Sequence, residues 1–218
     1  MWNKNKKNPP KKGKISKSFW DKEYKTSEHL ILSDEPSSDM VKFTHWAERN
    51  SEWFPFPKQG LVLDVGCGNG RNVIYMSETY KMRGIGFDIS EVAVNQARKT
   101  AETKGLAIDF NVQSAKDALP AGDEKVDVVL DMMTSHFLKE KMRETLRGEI
   151  LRVLKPGGRL VLYATSAASM QNWRFAGPHS HRLFDATQLR ALMSGGGFED
   201  RHISLRSTNA GFGIPGFV

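Results

Sequence analysis

Val62-Leu63-Asp64-Val65-Gly66-Cys67-Gly68-Asn69-Gly70-Arg71-Asn72 runs an apolar strand into a glycine-rich turn, and a helix-like segment opens directly behind it. Glycine there lets the backbone approach a ligand closely and take conformations that a side chain forbids. The helix N-terminus adds free N–H groups and partial positive charge. Such a turn alone is equally a tight strand-to-helix connection, so the spacing matters more. Gly66, Gly68 and Gly70 form G-x-G-x-G with Arg71 next, and the G-x-G-x-x-G spacing of a dinucleotide site fails. Asp64, two positions before Gly66, would repel a pyrophosphate and favour a cationic ligand.

The next strand-like run ends in Gly84-Ile85-Gly86-Phe87-Asp88, which places a second carboxylate 24 positions after Asp64. An acid at that carboxyl edge is set to take both hydroxyls of a ribose. Asp64, the loop and Asp88 together point to a nucleoside that carries positive charge and no phosphate. S-adenosylmethionine, with its sulfonium and ammonium, is such a ligand.

Short β-rich runs at 61–65, 83–87, 107–112, 126–130 and 159–163 alternate with helix-like segments near 71–80, 91–104 and 139–154. This is the pattern of a parallel sheet covered on both faces. Lys155-Pro156-Gly157-Gly158 ends the last of these helices in a turn. Ahead of the first strand, 37–50 reads as an amphipathic helix with Met40, Phe43, Trp46 and Ala47 at helical spacing, capped by Ser37 or Ser38. After the fifth strand a polar loop over 165–183 leads to a helix near 185–193, stopped by Gly195-Gly196-Gly197, and a sixth strand near 200–206.

The chain has 218 residues, 39% hydrophobic and 26% charged, which suits one soluble α/β domain. No apolar run reaches the roughly 20 residues of a membrane span, and no apolar stretch follows the basic N-terminus as in a secretory signal. Cys67 is the single cysteine, so no intramolecular disulfide forms; a reducing, cytoplasmic setting is expected. The net charge of +7 is matched by Lys4, Lys6, Lys7, Lys11, Lys12, Lys14 and Lys17, with no acid among residues 1–17. Residues 18–218 are therefore balanced. The expected organisation is a basic disordered tail over 1–17 and one domain over 18–218, with a helical lid segment at 18–58 and a core at 59–218. The tail reads as a solvated extension or as a weak anchor for nucleic acid.

With these motifs in this order, residues 19–206 resemble the class I S-adenosylmethionine-dependent methyltransferases, particularly the small type-11 group. Asp64 to Gly70 look like the family's first motif and Asp88 like its ribose-binding acid. Val126-Asp127-Val128-Val129-Leu130-Asp131 looks like its fourth strand, and Arg152-Val153-Leu154-Lys155-Pro156-Gly157-Gly158 like the signature before its fifth. Gly70-Arg71-Asn72 is also similar to the tellurite-resistance branch of the superfamily.

The resemblance implies a three-layer Rossmann-like sheet, mostly parallel, closing with a sixth strand and an antiparallel seventh. Only residues 207–218 are left for the seventh, and they carry Gly211, Gly213, Pro215 and Gly216, so that strand is expected to be short, bulged or absent. An unpaired sheet edge there would invite a weak homodimer in place of a monomer.

For the cofactor the resemblance implies Asp64, Gly66, Cys67, Gly68, Gly70 and Asn72 in and behind the loop, Asp88 and Ile89 after the second strand, and Asp131 at the end of the fourth. Where the family often has Gly-Asp after the third strand, this chain has Ser114-Ala115, followed by Lys116 and Asp117. The adenine amine is therefore expected to meet Asp117 or backbone carbonyls.

Asp131-Met132-Met133-Thr134-Ser135-His136-Phe137 leaves the fourth strand at the edge where the family brings donor and acceptor together. His136, with an unperturbed pKa near ~6.5, is the candidate base, though it equally caps or packs. Met132 and Met133 read first as packing residues. Met132 and Thr134 form one wall of the expected acceptor site. Trp20 and Tyr24, from an aromatic segment similar to the lid of type-11 relatives, form a second. Trp173 and Arg174 form a third. His179 and His181, two apart without a third ligand, imply no metal.

Methyl transfer from a sulfonium is an in-line displacement of an already activated group. The protein's task is alignment and water exclusion, and a base is needed only for an acceptor that arrives protonated. A small-molecule acceptor is expected, because little recognition surface lies outside the core. The alternatives are an RNA or protein acceptor held through the tail, and a nucleoside-binding module without turnover. No Asn-Pro-Pro-Tyr-like motif follows the fourth strand, which argues against amide or base N-methylation. No membrane partner is expected.

Overall fold

The aliphatic runs read as strands pair side by side in a computed structural model of the chain, in which residues 16–27, 32–52 and 55–163 are described. Five strands form one sheet: β1 (Leu61–Val65), β2 (Arg83–Asp88), β3 (Ile108–Val112), β4 (Val126–Met132) and β5 (Leu154–Tyr163). Their order is β3-β2-β1-β4-β5 and every pairing is parallel. The chain builds outward from β1 through β2 to β3, then returns to β1's other side for β4. That reversal opens a crevice beyond the carboxyl ends of β1 and β4, where ligands bind in sheets of this kind.

Side chains alternate across each strand, which gives two cores. Val62, Val128, Leu130 and Val161 face α2 (Ser38–Arg49), α3 (Arg71–Tyr80) and α4 (Glu91–Thr103), packing with Met40, Val73, Met76, Val94 and Ala97. Leu63, Val65, Phe87 and Val129 face α5 (Glu140–Val153), packing with Leu146, Ile150 and Val153. Phe87 is wholly buried, a burial contributing about 1.5–3 kcal/mol. Helix, sheet and helix make the three layers that the motifs imply.

The residues 113–125 cross from β3 to β4 without a helix. Arg152 near the end of α5 holds this crossover, donating to the carbonyls of Leu119 and Ala121 and to the carboxylates of Asp123 and Glu149.

Two expectations are corrected here. Lys155–Gly158 does end α5, yet it belongs to β5, as a bulge: Val126 pairs with Leu154 but Val128 with Arg159, and Gly157 takes a φ of 76° within the extra residues. The lid segment also divides in two. Helix α2, capped by Ser37, buries Met40, Thr44 and Ala47 against α3 and is a core element. Helix α1 (Lys17–Thr26), capped by Ser16, lies at the carboxyl ends of the strands, with Tyr24 on Gly68, and it begins inside the stretch read as tail. The expected helix at 185–193, the sixth and seventh strands and the remainder of the tail lie outside the described residues.

Candidate functional site

Three carboxylates converge at the carboxyl edge because they sit on neighbouring strands in register. Asp64 on β1 pairs laterally with Gly86 of β2 and Leu130 of β4, Asp88 ends β2, and Asp131 follows Leu130 on β4. Asp64 and Asp131 are each 1% exposed. Burial pushes the Asp64 carboxyl up to about 8, and the neighbouring Asp131 and Asp88 charges add to the shift. Burial likewise raises Asp131 and Asp88, against the hydrogen bonds that each accepts. One Asp64 oxygen is buried with no hydrogen-bond partner among the described residues. Clustered acids with an orphaned oxygen fit a cationic group, whose charge would restore the ionised form.

The glycine loop is narrow for reasons that differ along it. A β-carbon on Gly70 would lie 2.9 Å from Ala97 Cβ and 3.0 Å from Phe110 Cζ, so this glycine seats α3 against α4 and β3. Gly66 lies against Thr134, whose hydroxyl donates to the Val65 carbonyl at 2.8 Å. Gly68 has a φ of 57° and lies against the Tyr24 hydroxyl. Its N–H donates to Asp88 Oδ2 at 3.0 Å, while Ser90 N–H donates to Asp88 Oδ1 at 2.8 Å. Asp88 thereby joins the β1 turn to the start of α4. Burial raises the buried Cys67 thiol well above its usual value, so it is not a thiolate nucleophile.

Asn72 is also in place but occupied: its amide oxygen accepts from Ser37 N–H at 3.0 Å, tying α3 to α2. Ile89 is half-buried between Asp88 and Ser90. Ser114 and Ala115 are half-buried beyond β3, where Asp117 N–H donates to the Ser114 carbonyl, and Asp117 itself is exposed.

At the end of β4, Asp131 accepts from both the N–H and the hydroxyl of Ser135. Met132 packs on the α2–α3–α4 core, and Met133 adopts a φ of 90°, unusual for a side-chain-bearing residue. His136 lies in a short 3₁₀ turn (Ser135–Phe137), 6% exposed, its ring edge-on to Phe137 at 5.4 Å. Trp20 of α1 meets the same Phe137 edge-on at 5.1 Å. Tyr24 is pushed far up by burial and the Asp88 charge, so it stays a neutral phenol. The loop and the strand-end acids are thus brought together with Trp20, Tyr24, Thr134 and His136. Trp173, Arg174, His179 and His181 lie outside the described residues. Among those described, no group of three or more His, Cys, Asp or Glu side chains is placed to hold a metal.

Sequence reasoning named the segment containing Asp21 but gave that residue no role. Its carboxylate accepts from Ser90 Oγ at 2.8 Å and Val92 N–H at 3.3 Å, and pairs with Lys17 at 2.9 Å. The available signal was the Lys17/Asp21 spacing of four behind a serine cap. Asn69, also unassigned, donates to the Ser33 carbonyl and Asp34. A shallow cleft of about 390 Å³ lined by Arg83, Ile108 and Asp109 lies at the opposite, amino edge of the sheet, away from these groups.

Residues 62–158 match the family model of the methyltransferase domain. Over these residues the chain carries a methyltransferase domain. The chain is 32% identical over 133 residues to phthiotriol/phenolphthiotriol dimycocerosates methyltransferase 1 of Mycobacterium ulcerans, covering 61% of this chain and 46% of that one. It is 30% identical over 136 residues to 27-O-demethylrifamycin SV methyltransferase of Amycolatopsis mediterranei, covering 62% and 49%. The chain thus spans about half the length of these curated relatives. Its fold matches geranyl diphosphate C-methyltransferase of Streptomyces coelicolor, solved with Mg2+, geranyl-S-thiolodiphosphate and S-adenosylhomocysteine. The TM-score is 0.54 at 17% identity, over 70% of this chain and 57% of that one. No helix among the described residues is long and apolar enough to cross a membrane.

Proposed function

We propose that the protein transfers a methyl group from S-adenosylmethionine to a small-molecule acceptor. The Asp64–Asp88–Asp131 cluster at the switch point, with Asp64 and Asp131 buried, carries this reading, because it offers negative charge and an acceptor unsatisfied among the described residues to a ligand that brings positive charge. The cofactor would supply a methyl group already activated on a positively charged sulfur.

In this reading Asp88 accepts from the ribose hydroxyls with lone pairs left over from Gly68 and Ser90. The glycine loop bounds the amino-acid end, with the Asp64 charge behind it. Ile89, Ser114, Ala115 and Asp117 border the adenine. Asp131 holds the turn that presents Thr134, and α1 closes over the site with Trp20 and Tyr24 to exclude water. His136 is the candidate base for an acceptor that arrives protonated. Both curated relatives cited above act, by name, on small molecules, which supports that acceptor class over RNA or protein. A cytoplasmic location and a monomer or weak homodimer complete the reading, with nucleic acid meeting residues 1–17 if at all.

Isothermal titration with S-adenosylhomocysteine and with NAD tests it. Binding of the first alone is expected, and Asp88→Ala should weaken it at least about tenfold by removing charge-assisted hydrogen bonds. No binding of S-adenosylhomocysteine, or an unaffected folded Asp88→Ala, would defeat the reading. A screen of acceptor pools with radiolabelled methyl donor then separates turnover from mere binding.

A further inference from the structure

We propose that Asp21 is a positioning residue of the cofactor site: it clasps the amino end of α4 and, through Ser90, holds Asp88 in its ligand-ready orientation. The inference rests on the proposed cofactor site and goes beyond it by naming a residue that touches neither cofactor nor acceptor.

The connections form an unbroken path. Lys17 Nζ reaches Asp21 Oδ2 at 2.9 Å and Glu91 at 3.3 Å, bridging the first turns of α1 and α4. Asp21 Oδ1 accepts from Ser90 Oγ at 2.8 Å and from Val92 N–H at 3.3 Å. Ser90 is fully buried, and its hydroxyl is committed twice, donating to Asp21 and accepting from Ala93 N–H at 3.2 Å as the cap of α4. Its backbone N–H donates to Asp88, and Asp88 accepts from Gly68. A carboxylate at a helix N-terminus is favoured by the free N–H groups and the helix dipole. Burial works to raise the Asp21 carboxyl, but Lys17, Ser90 and Val92 outweigh it and hold the acid ionised.

Farther along α1, Gln96 of α4 donates to the Tyr24 carbonyl at 2.9 Å and Tyr24 rests on Gly68. Docking of α1 and the shape of the Asp88 corner therefore meet at the same two residues, Ser90 and Gly68. Coupling of this kind is reciprocal: what fixes the corner also fixes the lid, and a ligand that grips Asp88 tightens α1.

Stopped-flow and calorimetric measurement of S-adenosylhomocysteine on the full chain gives the test. Asp21→Ala is expected to weaken binding about tenfold, mainly through faster dissociation, with the melting temperature recorded alongside. Asp21→Asn, which keeps the oxygen facing Ser90 but loses the ion pair with Lys17, should fall between it and wild type. Ser90→Gly, a substitution tolerated at a helix N-cap, should cost about as much as Asp21→Ala, and the double variant little more than either. A stability role alone would lower the melting temperature while leaving dissociation unchanged. Unchanged dissociation in Asp21→Ala, or losses that simply add in the double variant, would overturn the proposal. Should Asp21→Ala not fold, Ser90→Gly carries the test, and normal dissociation there overturns it. If wild type itself does not bind S-adenosylhomocysteine, the proposed function fails instead, so the two failures are distinct.

Discussion

The Tyr24 hydroxyl occupies the space that a side chain on Gly68 would need, so the lid helix and the glycine loop are built as one packing unit. Replacing Gly68 therefore disturbs two things at once. Its φ of 57° lies in the left-handed region, where a side chain costs roughly 1–2 kcal/mol, and the new methyl displaces Tyr24. Gly68→Ala should lower stability by more than this backbone cost in the native protein. In a Tyr24→Ala background it should cost the backbone term alone. Equal losses in the two backgrounds, read from denaturant melts, would show that Tyr24 does not press on the loop.

Asp64 sets a pH dependence with a definite sign. Its carboxyl is raised from 3.8 to about 8 in the folded chain, so the ligand-free protein holds a proton that the unfolded chain has released. That contribution to stability is complete below about pH 4 and is lost as pH rises toward about 8. Asp88 and Asp131, raised for the same reason, act in the same direction. A cationic ligand favours the ionised carboxylate, so binding of S-adenosylmethionine at pH 7 should release protons. Calorimetry in buffers of differing ionisation enthalpy measures that release; Asp64→Asn should reduce it. Identical heats in all buffers for the wild-type protein would contradict the assignment.

Arg152 should matter more than any one of its partners. Arg152→Ala takes the guanidinium donor from the Ala121 carbonyl, leaves the Leu119 carbonyl only the Ala121 N–H, and frees the helix-less crossover, for a loss of about 1–3 kcal/mol. Asp123, 76% exposed, contributes only a few tenths by comparison. Chemical denaturation of Arg152→Ala and Asp123→Ala decides this, and similar losses would argue against it.

Removal of residues 1–15 should leave both melting temperature and S-adenosylhomocysteine affinity unchanged, since those residues carry lysines and almost no apolar side chains. Removal of residues 1–17 should weaken cofactor binding, because it takes away Lys17 and the Ser16 cap of α1. Any affinity for nucleic acid should disappear with the shorter deletion and fall steeply with salt. Loss of cofactor binding in the shorter deletion would mean that the chain before Ser16 belongs to the site.

Among the described residues, the sequence by itself determined the five strands, helices α2 to α5 and the glycine loop of the candidate site. Aliphatic runs of five or six residues, a serine ahead of α2 and of α4, and glycines with an acid before them are local signals, written within one turn of the elements they specify. Asp64 and Asp88 were legible because their positions at strand ends follow from the alternation of strand and helix. The strand order and the division of labour among partners came only from tertiary structure. Nothing adjacent to Gly68 announces Tyr24, 44 residues earlier, and nothing near Asp88 announces Asp21. Asn72 looks like a ligand residue in sequence, but its amide turns to Ser37 of a helix that sequence assigned to the lid. The strand-like Lys155–Gly158 bulge depends on its β4 partner rather than on its own proline and glycines. Pattern records what each segment prefers alone; hydrogen bonds between distant segments form only once the sheet has fixed where those segments meet.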